Sequence, residues 1–323
     1  MYTIGIDLGG TNIAAGLVDG EYRILCRESV KTNVPRPLSA ILDDMVVLVE
    51  RLLKRSGLKK ENISCVGVGV PCTANLENGH IEDANNLGFE DELFVPVLEE
   101  KLGLPVFFEN DANAAAWGEY ISGGYSGDSF LLVTVGTGIG GGIILGGRLW
   151  SGVNHAAGEF GHMTVSGSDE LCTCRRRGCF EACASATALI RQARKAMQRD
   201  RETVLWSLCG GDPEKVEAKT VFEGAGAGDA LCKSLLDTYT TFLAEGIANI
   251  INIFQPEHLC VGGGVSHAGE ALMGPLGEKT ARRIYSKNAK RNTRLVPAQL
   301  GNDAGIIGAA LLGMQYKERG DLL

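Results

Sequence analysis

Residues 159–181, EFGHMTVSGSDELCTCRRRGCFE, gather His162, Cys172, Cys174 and Cys179 within 18 residues. One imidazole and three thiols make a complete tetrahedral shell for a structural zinc. A closed shell leaves no position for water or substrate, so such a metal builds a loop and performs no chemistry. Cys172 and Cys174 stand too close in sequence to bridge comfortably, because disulfide geometry disfavours so short a ring. Glu159 and Glu181 bracket the cluster and travel to wherever the folded loop points.

A second group of residues suits phosphate. IGIDLGGTNIAAGLV near the start and LLVTVGTGIGGGIIL further on both read as strand, glycine turn, strand. Backbone N–H groups in such turns can converge on phosphate oxygens as anion-binding nests. Thr11 and Thr137 add hydroxyl donors at matching places, Asp7 precedes the first turn, and Gly262, Gly263 and Gly264 follow downstream. Residues 136–141, GTGIGG, formally satisfy G-x-G-x-x-G, but Ile143, Ile144 and Leu145 continue as a strand. A dinucleotide fingerprint needs a helix there, so a nicotinamide site is disfavoured. No G-x-x-x-x-G-K-[ST] occurs, which excludes a P-loop.

The elements that must position these residues follow from periodicity. Residues 2–8 and 13–18 read as strands, and Asp19-Gly20 signals a tight hairpin. Leu38, Ile41, Met45, Leu48 and Leu52 repeat at helical spacing, so 38–56 is a helix ended by Gly57. Residues 65–71 and 105–111 read as buried strands, with a helix starting directly after Asp111. A second unit opens near residue 129; helices are expected across about 182–209 and 228–254, and a strand over 258–264. The run Gly301-Asn302-Asp303-Ala304-Gly305 leads into a helix of small residues, and no flexible linker divides the chain.

At 323 residues, 45% hydrophobic and 22% charged, the composition is that of an ordinary globular protein of two lobes or one large α/β unit. A net charge of −8 argues against general nucleic-acid affinity, which requires a positive counter-surface. No apolar run reaches membrane-spanning length, and MYTIGIDLGG lacks the pattern of a signal peptide. A cytoplasmic location with reduced thiols is therefore expected. Cys26, Cys65, Cys72, Cys183, Cys209, Cys232 and Cys260 then read as small buried hydrophobes.

Taken together, IGIDLGGTNIAAGLVD, ENDANAAAWGE, VTVGTGIGGGIILGGRLWSG, Glu159-x-x-His162 and CTCRRRGCFE resemble the ROK family of sugar kinases and sugar-responsive repressors. The resemblance runs over nearly the whole chain. It implies an actin-like ATPase (ribonuclease H-like) α/β fold, two lobes around a nucleotide cleft. The smaller lobe is placed at 1–118, with a helix of about 303–323 packing back onto it; the larger is 119–302, carrying the zinc loop 162–179. The repressors of the family carry a winged-helix domain ahead of the first phosphate motif. Here that motif starts at residue 4, so the kinase branch is expected.

Carried over residue by residue, the resemblance makes Asp111 the general base that accepts a sugar hydroxyl proton. Asp111 can equally be read as the N-cap of the helix that follows it. Asn86, Asn110, Asp111, Glu159, His162 and Glu181 form the implied sugar shell, His162 using one ring nitrogen for zinc and the other for sugar. Asp7, Gly9, Gly10, Thr11, Asn12, Thr137, Gly138, Gly140, Gly262, Gly263 and Gly264 are the implied nucleotide contacts, with Asp7 close to Mg²⁺. The implied activity is ATP-dependent phosphorylation of a hexose, glucose at its 6-hydroxyl leading. Mannose, fructose, allose, N-acetylmannosamine or a non-catalytic sugar sensor are the alternatives. ATP, Mg²⁺ and structural Zn²⁺ are the cofactors, and a homodimer without nucleic-acid or membrane partners is implied.

Two departures from the family pattern stand out. Arg175 occupies a position usually held by Gly, where a positive φ would strain it; Arg175-Arg176-Arg177 reads as a solvated face. In ANNLGF, Asn85 stands for a Pro and Phe89 near an expected Trp. His155, Trp117 and Trp150 are expected to pack.

Overall fold

The computed structural model describes the backbone of residues 2–319 and the side chains of residues 2–314, so residues 320–323 of the expected last helix lie outside the described residues. Two compact units emerge, one of Met1–Leu132, Gly142–Gly158 and Gln299–Leu323, the other of Val133–Gly141 and Glu159–Ala298.

The first unit opens with strands β1 (Tyr2–Leu8), β2 (Asn12–Val18) and β3 (Ile24–Lys31), paired antiparallel. The connection after Asp19 is not the tight hairpin that Asp19-Gly20 suggests. Residues 19–23 form a longer loop, because the Asp19 carboxylate accepts the backbone N–H of Glu21 and Arg23 (2.9 and 3.0 Å) and Tyr22 takes a φ of 65°. Helix α1 (Leu38–Ser56) buries the predicted stripe and ends at Gly57 in the left-handed region.

Strand β4 (Ile63–Val70) joins β1 in parallel. A small sheet of β5 (Thr73–Asn75), β6 (His80–Ala84) and β7 (Phe89–Leu93) follows, then α2 (Val95–Leu102), β8 (Val106–Asn110) and α3 (Asp111–Ser122). The main sheet runs β3-β2-β1-β4-β8.

Strands β9 (Ser129–Val135) and β10 (Ile139–Leu145) give residues to both units, and β11 (Arg148–Leu149) pairs with the end of β10. The helical run expected over 182–209 is divided into α4 (Phe180–Ala184), α5 (Ala186–Met197) and α6 (Leu205–Leu208). Ser185 causes the first break: its extended backbone ends α4, and its hydroxyl caps α5 by accepting the Ala188 N–H at 3.1 Å. Then come α7 (Ala218–Gly226), α8 (Ala230–Phe254), β12 (His258–Gly262), α9 (Glu270–Arg283) and β13 (Arg294–Pro297), giving a sheet ordered β11-β10-β9-β12-β13.

Helix α10 (Ala304–Arg319) returns to the first unit and packs on α3, β1 and β4. Its small residues let backbone meet backbone. A Cβ at Gly67 would land inside the Ala309 carbonyl, and one at Gly308 inside the Ala114 carbonyl. Trp117 seals this contact, its indole N–H donating to the Leu311 carbonyl at 3.1 Å. No helix among the described residues is long and apolar enough to cross a membrane.

Candidate functional site

At the β8–α3 junction, Asn110 rather than Asp111 is the N-cap. Its Oδ1 accepts the N–H groups of Ala112 (2.9 Å) and Asn113 (3.2 Å), while its Nδ2 donates to the Cys72 carbonyl at 3.2 Å. Most of the capacity that Asn110 was expected to offer a ligand is thus spent on the fold. Asp111 is the first helical residue, and its Oδ1 accepts the Ala112 N–H at 2.8 Å. The residue keeps some exposed area, but its carboxyl is crowded by protein atoms. Burial pushes that carboxyl above the usual carboxylate range, against the opposing pull of the Ala112 N–H. Glu109, which sequence reasoning passed over, is buried beneath the junction and accepts from the Asn110 N–H (2.8 Å) and the Asn113 amide (3.1 Å). Its place at the buried end of a strand, next to two candidate residues, was the available signal.

The same unit holds the first glycine turn. Gly9 donates to the Asn12 carbonyl at 2.9 Å, and Thr32, directly after β3, clasps the turn twice. The Thr32 hydroxyl donates to the Gly9 carbonyl (2.6 Å) and its N–H to the Thr11 carbonyl (2.9 Å). Gly10, Thr11 and Asn12 are exposed. Burial first, and the charge of Asp111 second, push the Asp7 carboxyl up to about 6. Asn86 lies exposed in the β6–β7 turn, whose neighbours Leu87 and Phe89 point into the core, and its carbonyl faces Gly10.

The second unit carries the other glycine turn between β9 and β10, with Thr137 exposed and Gly138 and Gly140 partly so. Beyond β12, Gly263 takes a φ of 82° and passes against Val135 at the end of β9, leaving Gly263 and Gly264 exposed and Gly262 buried.

The four candidate ligands of the loop do come together: one donor atom from each of His162, Cys172, Cys174 and Cys179 lies within 4.8 Å of every other. Cys172 Sγ is 3.7 Å from His162 Nδ1, and Cys174 Sγ is 3.6 Å from Cys179 Sγ. Two sulfurs held about 2.3 Å from a tetrahedral centre stand about 3.8 Å apart, so these separations fit the edges of a zinc shell. They are far too long for a disulfide, and all ten cysteines are free thiols. Among the thiols alone, burial pushes Cys179 up to about 12, while the backbone N–H of Arg176 holds Cys174 below the ordinary thiol range. A divalent cation inverts such preferences and takes all three as thiolates.

His162 turns its other nitrogen, Nε2, toward Glu159 at 3.9 Å. Arg175 has a φ of 68°, the left-handed conformation that favours glycine. Arg175 is tied to the loop by its backbone, its N–H donating to the Cys172 carbonyl at 2.9 Å. Arg176 donates to the His162 carbonyl (3.2 Å) and the Thr164 hydroxyl (3.3 Å), and Arg177 to the Asp169 carbonyl (2.8 Å), so the triplet is the exposed face expected and two of its members also brace the loop. Glu181 lies on the glycine turn, its Oε2 accepting the Ile139 N–H at 2.9 Å. His155 packs by its Nδ1 against the Ser151 hydroxyl (3.2 Å), whereas Trp150 is about half exposed and does not pack as expected.

The model of the ROK family matches residues 3–316. This chain is a ROK family protein. A glucokinase of Streptomyces coelicolor is 38% identical to this ROK protein over 97% of the chain and 98% of its own length. A glucokinase of Thermotoga maritima is 37% identical over 98% and 97% respectively. Among solved structures, a ROK family glucokinase from Streptomyces griseus in complex with glucose and AMPPNP superposes with a TM-score of 0.84. It is 36% identical and covers 97% of this chain and 99% of its own. The ROK chain described here has the actin-like ATPase fold, with the β3-β2-β1-β4-β8 sheet of its first unit and the α10 return.

Proposed function

We propose that this protein transfers the γ-phosphoryl group of ATP to glucose at its 6-hydroxyl. The observation that carries the reading is Asp111. Its buried carboxyl opens a helix in a chain similar throughout its length to glucokinases. A sugar hydroxyl is a poor nucleophile, and a positioned carboxylate that takes its proton aids in-line transfer. A carboxyl raised by burial is a stronger base than an ordinary one, and suits that task at neutral pH.

Asn86, Asn110, Asp111, Glu159, His162 and Glu181 are the sugar contacts in this reading. Gly9, Gly10, Thr11, Asn12, Thr137, Gly138, Gly140, Gly262, Gly263 and Gly264 serve the nucleotide, with the exposed threonine hydroxyls as donors to phosphate. Asp7 suits Mg²⁺: its carboxyl is pushed up by burial and by Asp111, an arrangement that a hard dication relieves. Magnesium supplies charge neutralisation to the transferring phosphoryl group. Zinc held by His162, Cys172, Cys174 and Cys179 fixes the loop. Because Nδ1 faces the thiols and Nε2 faces Glu159, it also fixes which ring edge His162 offers a hydroxyl. A reduced cytoplasmic setting and a homodimer belong to the same reading; sedimentation of the purified protein checks the latter.

The test is ADP release from MgATP across a panel of hexoses, amino sugars and N-acetyl sugars. Glucose is expected to give the strongest turnover, and Asp111→Asn to lower it by about 10²–10⁴. Stronger turnover with another sugar reassigns the acceptor; silence across the panel from folded protein overturns the kinase. On the acid side, kcat/KM should fall as Asp111 takes up its proton, at a pH above the usual carboxylate range, and the Asn variant should lack that limb.

A further inference from the structure

Glu181 has a second set of partners that a sugar contact does not explain. Ile139 begins β10, and its buried N–H is accepted by Glu181 Oε2 at 2.9 Å. A Cβ at Gly138 would overlap that same oxygen, so the glycine is needed to admit the carboxylate as well as any phosphate. The other oxygen, Oε1, reaches the Thr173 hydroxyl at 3.4 Å and lies 4.0 Å from Cys172 Sγ, inside the loop of candidate metal ligands. The remainder of the turn is tied to the helices that follow the loop. Gly136 accepts the Ala186 N–H (2.8 Å), and the Thr137 carbonyl accepts the Thr187 hydroxyl (2.8 Å). Gly161, next to His162, packs against the Ile139 carbonyl so closely that a Cβ would collide with it.

From this geometry we infer that Glu181 is a positioning residue for the 136–140 phosphate turn, coupling the metal loop and the sugar side to nucleotide affinity. The inference rests on the kinase reading and deepens it. Removing the carboxylate leaves the Ile139 N–H buried without an acceptor, and the turn must shift to hydrate it. Sugar and nucleotide affinities are then linked through one side chain, and linkage of that kind is reciprocal.

The test is MgADP binding by calorimetry without sugar, on the full chain with its zinc content and melting temperature verified. Glu181→Ala should weaken MgADP about tenfold, the size of one hydrogen bond to a charged group. Glu181→Gln should stay within about twofold of wild type, because its amide oxygen accepts the same N–H. Thr187→Val, on an exposed helix position that follows the candidate metal loop, should lose about threefold through the Thr137 carbonyl. Equal MgADP affinity in all four proteins overturns the inference and leaves the kinase standing with Glu181 as a sugar contact alone. If Glu181→Ala loses its zinc, Thr187→Val decides, and wild-type affinity in it overturns the inference. A wild type that neither binds MgADP nor phosphorylates any sugar overturns the kinase reading and this inference with it.

Discussion

The two glycine turns share a sequence grammar but are held in different ways. Both close on themselves, the Gly9 N–H donating to the Asn12 carbonyl (2.9 Å) and the Gly136 N–H to the Gly138 carbonyl (3.0 Å), and the turn at 9–12 is clasped further by Thr32, the residue after β3. The turn at 136–140 is held as well by Glu181, Ala186 and Thr187, which lie 42 to 50 positions on and beyond the candidate metal loop. The added hold on the first turn comes from the neighbouring strand, and that on the second from the segment that follows the four candidate metal ligands. Identical motifs can thus carry different dependencies, visible only in where their backbone groups find partners.

Removing the metal should separate the turns most sharply. Stripping zinc with 1,10-phenanthroline should speed hydrogen exchange at 136–140 and 185–187 by an order of magnitude or more, leaving 9–12 and 32 unchanged. Equal protection in both turns would erase the distinction.

The next largest effect belongs to the first turn alone. Asp7 has a folded pKa of about 6 against an ordinary 3.8, so the folded state binds its proton more tightly than the unfolded one. The stability this lends is present below about pH 4 and is lost as pH rises through 6. Without magnesium, Asp7→Asn should therefore stabilise the protein by about 3 kcal/mol at pH 7.5 and by almost nothing at pH 4, as read from urea melts. A gain that does not change with pH would remove burial as the cause.

A smaller effect, about 1 kcal/mol, is expected from Thr32→Val, which deletes the clasp on Gly9. Its mark should be weaker MgADP binding with zinc content unchanged. Smallest of all, Arg175→Gly should relieve the left-handed strain in the metal loop and raise the melting temperature of the zinc-bound form by a few degrees. An unchanged or lower melting temperature would mean that the greater freedom of glycine in the unfolded chain outweighs the strain.

What was legible in the sequence was mostly local. The four ligands fall within one loop, and the α1 stripe and its Gly57 stop need only neighbours along a helix, so both were found where expected. Asn110 and Asp111 exchanged the capping role because two consecutive residues are both good caps, and only the backbone decides which stands outside the helix. The sheet of β5, β6 and β7 escaped notice because its strands are three to five residues long and carry many charged side chains. The hold of Glu181 on Ile139 spans 42 positions and obeys no periodicity, so no spacing rule could reveal it. Glu119 is a similar case. It is a buried carboxylate that accepts the N–H groups of Gln299 (3.1 Å) and Leu300 (2.8 Å), fixing the chain just before α10.

That last helix has a consequence for how the protein is made. Gly67 meets Ala309 and Gly308 meets Ala114, partners far apart along the chain, so the first sheet emerges from the ribosome long before the helix that must cover it. Until residues beyond 304 are synthesised, β1 and β4 expose an apolar face, while residues 159–298 already have all that their own unit requires. The unit translated first is therefore completed last, and the nascent chain must be kept from aggregating through that interval.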